Sequence, residues 1–187
     1  MQFDEDKLMA IIEPYLSRAR AGDWEHALRA VEWVKELGAG RKDLYLLITA
    51  AYIHDIGWSG VAPIGQLTLD QVIKLEPQAN ANSSRLILEV LNKLNFTEAE
   101  ISVVNRLVAA ADKHQSEKDD EAVIVDADNL CKLSIDHLRA KFEPESFTSL
   151  VDLFEKEFAG RFRTPKAKKI FPKLLKELKK QVLSLEK

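Results

Sequence analysis

Apolar residues recur along most of the chain at three- and four-residue steps, and no alternating run longer than a few residues interrupts them. That periodicity predicts helices almost throughout. Leu8, Ile11, Ile12 and Tyr15 share one face of a first helix over about residues 4–20. Asp23 is the expected N-cap of a second helix, which ends near the Gly38-Ala39-Gly40 breaker. A third is expected over 43–55, stopping at Gly57, and residues 58–69 read as a long loop with a turn of helix behind it. Further helices are expected over 78–94, 98–113 with Thr97 as N-cap, 121–140, 147–158 and 166–185, punctuated by Pro144 and Pro165. No repeat or interdomain linker interrupts them, so residues 1–187 read as one compact all-α bundle.

Against this pattern, the informative positions are polar side chains that share a face with apolar ones. His26 precedes Ala30, Trp33 and Leu37 at steps of four, seven and eleven, which turns it inward. Leu44, Ile48, Ala51 and Asp55 obey the same rule, with His54 beside Asp55. Ile124, Asp128, Cys131, Ile135 and Leu138 form another stripe whose one charged member is Asp128. Asp126 lies on the neighbouring line with Leu130, Leu133 and His137 and is the weaker candidate. Val103, Leu107, Ala110 and His114 also align.

A buried carboxylate without partners costs several kcal/mol or shifts its pKa until it is neutral. Any one of these residues alone fits a hydrogen-bonded core position or a helix cap. Two inward carboxylates and up to three inward histidines from four helices are instead satisfied together by one cation. Nitrogen and oxygen donors of this kind suit Mn, Fe, Co, Ni or Mg better than a closed structural zinc site.

His26, the pair His54-Asp55 within Ala50-Ala51-Tyr52-Ile53-His54-Asp55-Ile56-Gly57, and Ala127-Asp128-Asn129-Leu130 resemble the H…HD…D signature of the HD-domain superfamily of metal-dependent phosphohydrolases. Gly22-Asp23-Trp24-Glu25-His26 also looks like the first-histidine motif of small prokaryotic members. The similarity covers about residues 22–140, which makes 141–187 a C-terminal helical extension of an HD-type bundle. It implies that His26, His54, Asp55 and Asp128 hold one divalent ion, and that Asp55 also reaches the attacking water or a second metal.

His114 matches a later family histidine over the active site, there to bind phosphate as imidazolium, relay a proton or help a second ion. The further histidine of binuclear members falls at Asn80, which favours a single metal. The Glu that the nucleotidase branch places three residues after the pair is Trp58 here. The implied activity is hydrolysis of a phosphate ester or anhydride of a small metabolite, with nucleotides the first expectation. Arg29, one turn after His26, and Lys113, beside His114, are the cations expected to hold the nonreacting phosphate. The loop over 58–69, with Gly60, Pro63 and Gly65, is long enough for a lid. The alternative from another class is a regulatory module of HD fold that binds metal and ligand with little turnover.

Composition narrows the field further. Hydrophobic residues are 46% and charged residues 30% of the chain, which argues against disorder and fibrous repeats. No stretch approaches the roughly 18 apolar residues of a membrane helix, and the acidic start has no apolar segment behind it. A cytoplasmic protein with no membrane partner is therefore expected. The single cysteine, Cys131, excludes an internal disulfide framework and a thiolate zinc cluster, and reads as a small buried residue. Net charge is −3, yet residues 161–187 carry 10 Lys/Arg against 2 Asp/Glu. Phe171, Leu174, Leu175, Leu178, Val182 and Leu185 form a clean stripe there, so the lysines read as the solvated face of a docked helix and no nucleic-acid partner is expected. His137 has no family match and no assigned role.

Overall fold

Local caps decide where several helices begin. In the computed structural model, which describes residues 3–63 and 65–185, Asp4 caps helix α1 (Glu5–Leu16) by accepting from the Lys7 amide. Helix α2 (Asp23–Leu37) begins differently from the expectation. Its N-cap is Gly22 at φ 73°, and Asp23 is the first helical residue, fully buried. A Cβ at Gly22 would press on the Ala140 side chain, so glycine allows the end of a later helix to close over the start of α2.

Helix α3 (Leu44–Ile53) is followed by a 3-10 turn, Ile56–Trp58. Helix α4 (Leu69–Lys93) starts earlier than its apolar pattern suggests and runs through Pro77. A capping box explains the start: Thr68 Oγ1 accepts from the Gln71 amide and the Gln71 side chain accepts from the Thr68 amide. Proline inside a helix costs about 3 kcal/mol, offset here by packing of α4 on the Ile56–Trp58 turn. At that contact a Cβ on Gly57 would overlap the Ala79 carbonyl oxygen, so only glycine lets the two backbones meet.

Helix α5 (Glu98–Lys113) carries the expected Thr97 cap, closed into a box by Glu100. The single helix expected over 121–140 is two: α6 (Asp119–Cys131) and α7 (Ile135–Lys141). Ser134 breaks them, extended at φ −138° and ψ 147°, with its hydroxyl accepting from the His137 amide. Helices α8 (Phe147–Arg161) and α9 (Pro165–Leu185) complete an all-helical bundle with no strand among the described residues.

Helix α6 is buried on every side. One face packs with α2, α3 and α5 in a core built around Leu47, Ile53, Leu91, Leu107 and Ile124. Leu130 joins a second core of α7, α8 and α9 side chains, including Leu138, Phe154, Phe158, Phe162 and Phe171. Asp126, the weaker candidate, is spent on this second packing: its carboxylate accepts from the Arg163 and Thr164 amides and anchors the start of α9. The lysine face of α9 lies outward, opposite buried Phe171, Leu175, Leu178 and Val182. No helix among the described residues is long and apolar enough to cross a membrane.

Candidate metal centre

Helices α2 and α6 and the end of α3 bring four polar side chains to one point. His26 Nε2 lies 3.1 Å from His54 Nε2 and 3.1 Å from Asp128 Oδ1. His54 Nε2 is 3.5 Å from that same oxygen. Asp55 Oδ2 is 3.8 Å from His26 Nε2 and 3.7 Å from His54 Nε2. All four residues are buried. Ligand atoms about 2.1 Å from one ion stand about 3.0–3.4 Å apart in octahedral or tetrahedral geometry. The histidine and Asp128 separations match that spacing, and those to Asp55 are slightly wider.

The second nitrogen of each ring decides what the first can do. His54 Nδ1–H donates to the Ala51 carbonyl at 2.8 Å, which leaves Nε2 as a lone pair. Cys131 Sγ is 3.3 Å from His26 Nδ1, while the thiol itself donates to the Asp128 carbonyl at 3.1 Å. His26 Nδ1–H therefore donates to sulfur, and its Nε2 is a lone pair as well. With both rings neutral, two Nε2 lone pairs and two nearby carboxylates form a donor set that could hold a cation. Partners that hold the rings in this orientation are typical of metal-binding histidines. The Cys131 thiol is pushed up by burial and by Asp128, and its sulfur lies close enough to His26 and Asp128 to join them around an ion.

The titration behaviour carries the same signature. Burial works to lower His54, but the charges of Asp55 and Asp128 overcome it and hold the ring up at about 9. His26 falls to about 3, chiefly by burial. A proton on one ring is thus the least that the carboxylates demand. Burial would raise both acids, yet Arg20, His54 and Lys141 keep Asp55 well below the usual range, and Lys132 with His26 does so for Asp128.

Around the centre lies a cavity of about 220 Å³. Lys132 Nζ reaches Asp128 Oδ2 at 2.6 Å. Arg20 reaches Asp55 Oδ2 at 2.6 Å, stacks over Trp58 at 4.1 Å and is tied to Asp23 at 3.1 Å. Lys141 bridges Asp23 and Asp55. Arg161 stands at the rim over Phe158, at 4.8 Å. Asp112 also faces the cavity; burial first, then the charge of Asp55, lifts its carboxyl to about 7.

The residues singled out in the sequence divide accordingly. His26, His54, Asp55 and Asp128 converge, and His114 and Asn80 line the same cavity. His114 caps α5 in the left-handed region at φ 52°, and its Nδ1 is 3.8 Å from Asp128 Oδ2 with no hydrogen-bond partner. Arg29 and Lys113 are not among the lining residues. The Arg29 Nε and one Nη are buried without a partner, and Lys113 is exposed on another face. The cations at the cavity are instead Arg20, Lys132, Lys141 and Arg161.

His137, given no role from sequence, packs its ring 5.0 Å from that of His26 with Nδ1 unpartnered. Part of the proposed lid falls on residue 64, outside the described residues; of the 58–69 stretch, Trp58 lines the cavity.

Fold and site together define a class: an all-helical protein with a buried His/Asp cluster able to bind a metal ion, compatible with the HD fold. Comparison with protein-family models, curated proteins and solved structures returned no match.

Proposed function

We propose that this chain is a divalent-metal-dependent phosphohydrolase, acting on a phosphate ester or anhydride of a small metabolite. The observation that supports the reading most is the convergence of His26 and His54 Nε2, 3.1 Å apart, with Asp55 and Asp128 beside them, inside a cavity lined by four cations. A divalent ion held by these four residues supplies Lewis acidity toward a phosphoryl oxygen and lowers the pKa of a bound water.

The rest is the work of the chain's own side chains. Arg20 uses Nε and one Nη on Asp23 and Asp55, so its remaining donors are free for a phosphoryl oxygen. Trp58 stacking and the Asp23 carboxylate fix the plane of that guanidinium. Lys132 spends one donor on Asp128 and keeps two. Charge compensation of this kind is what phosphoryl transfer needs most. Asp112, which holds a proton to near neutral pH, is the group suited to protonate the leaving oxygen. The apolar side chains of α8 line one side of the cavity.

Metal analysis followed by phosphate release over a panel of esters with Mn, Co, Ni and Mg tests the proposal. The expected result is release that chelation abolishes and Asp55→Ala removes. Release that persists in Asp55→Ala, or a protein that takes up no metal, overturns it. Metal and phosphate binding with no turnover would make the chain a regulatory module instead.

A further inference from the structure

The cavity has two unlike walls. The wall formed by α2, α3 and α6 is charged. The wall formed by residues 142–158 is apolar, made of Phe142, Leu150, Leu153, Phe154 and Phe158. Phe154 and Phe158 stack at 4.5 Å, so this wall is a braced surface rather than a set of loose chains. The uncharged hydrogen-bonding side chains outside the histidines are equally telling. Among the described lining residues these are Asn80 and the Trp58 indole; no Ser, Thr, Tyr or Gln faces the cavity.

A sugar hydroxyl or the edge of a base placed against the phenylalanine wall would lose water and gain no partner there, at about 1–3 kcal/mol for each group left unpaired. Size points the same way. A volume of about 220 Å³ is below the roughly 300–1,000 Å³ of pockets that enclose drug-sized ligands. A phosphoryl group and a short organic group fill it.

We infer that the site takes phosphate monoesters of small apolar alcohols or phenols, and that the α8 wall, through Leu153 and Phe154, selects them. This rests on the phosphohydrolase reading and sharpens its substrate, displacing nucleotides as the first expectation. In the reaction a water oxygen bonds phosphorus and the ester P–O bond breaks. The alcohol leaves with one proton, and inorganic phosphate is the other product. The phosphoryl group lies among the cations, and the organic group lies against the phenylalanines, where each added methylene gains burial.

The test compares kcat/KM of the Mn²⁺-supplemented protein on methyl, propyl, butyl and phenyl phosphate, on glycerol 3-phosphate and on a nucleoside 5′-monophosphate. Calorimetric affinities for the matching alkylphosphonates, which cannot be hydrolysed, give a readout independent of turnover. The expected result is a rise of about four-fold per methylene up to butyl, in both kcat/KM and phosphonate affinity. Phenyl phosphate should exceed glycerol phosphate by more than ten-fold. Leu153→Gln, on a half-buried side chain, should flatten the series. A flat series in wild type, or preference for the nucleotide or glycerol phosphate, overturns the inference while the phosphohydrolase reading stands. Absence of phosphate release from every ester overturns the inference, and absence from pyrophosphate and a nucleoside triphosphate as well overturns both.

Discussion

His26 Nε2 and His54 Nε2 face each other across 3.1 Å, while the opposite nitrogen of each ring is committed to Cys131 Sγ and to the Ala51 carbonyl. Neither ring can turn its lone pair away without breaking the bond behind it. The purified protein should therefore bind one divalent ion per chain, read by metal analysis and titration. At an ion concentration about 1,000 times Kd, the gain is about 4 kcal/mol. For a chain of this length that raises Tm by about 8–16 °C. His26→Ala and Asp128→Ala should abolish the metal-dependent part of the Tm.

Cys131 stands behind His26, with its sulfur 3.3 Å from Nδ1. Cys131→Ala removes the acceptor for His26 Nδ1–H and should weaken Mn²⁺ or Co²⁺ binding about 10–100-fold. Cys131→Ser keeps an acceptor and a donor and should restore most of the affinity. Equal affinities in all three proteins would show that the thiol is mere filling. The Co²⁺ absorption spectrum separates a change at the ligand from a general loss of stability.

Asp112 gives a pH prediction with a definite sign. Unfolded, an aspartate releases its proton near 3.8; in this fold it keeps the proton up to about 7. Between those values the folded chain binds more protons, so this group's contribution favours folding as pH falls from above 7 toward 4. Asp112→Asn should then raise the Tm of the metal-free protein at pH 8, with the gain fading as pH approaches 4. The same change should slow hydrolysis. A variant that is more stable and less active marks a functional carboxylate. No Tm gain at pH 8 would remove the ground for treating Asp112 as strained.

Asp126 supplies the contrast. Its carboxylate holds the Arg163 and Thr164 amides at 2.7–3.2 Å, away from the cavity. Asp126→Ala should cost about 1–3 kcal/mol in urea unfolding while metal affinity stays at the wild-type value. Loss of metal in a still-folded variant would mean that the two acids of α6 are not independent.

What could be read from the chain follows the continuity of its helices. His26, Asp55 and Asp128 belong to runs that stay helical up to the site, so steps of three and four turned them the right way. Thr97 marks the start of α5. Lys141 and His137 lie beyond the Ser134 break, which resets the register, so no stripe drawn through α6 could place them. Arg20 stands in the turn before α2, where no periodicity applies. Arg29 is expected from the resemblance and its place one turn after His26, and Lys113 only from its neighbour; neither lines the cavity. Consecutive helical residues point about 100° apart, and Lys113 accordingly faces solvent while His114 faces the cavity. The apolar wall of the cavity was invisible because it comes largely from α8, which had no link to the motif until the second core folded against α6.

The bonds at the centre span long stretches of chain: 102 residues separate His26 from Asp128, and 118 separate Asp23 from Lys141. Such contacts form only after the loops between them have closed. Among the described residues the candidate ligands come together only across such spans. An ion held there would enter late in folding and would report on the whole stretch from Arg20 to Lys141. Local opening of α7 would withdraw Lys141 from Asp23 and Asp55 together, so loss of that one short helix unbalances the charge at both ends of the site.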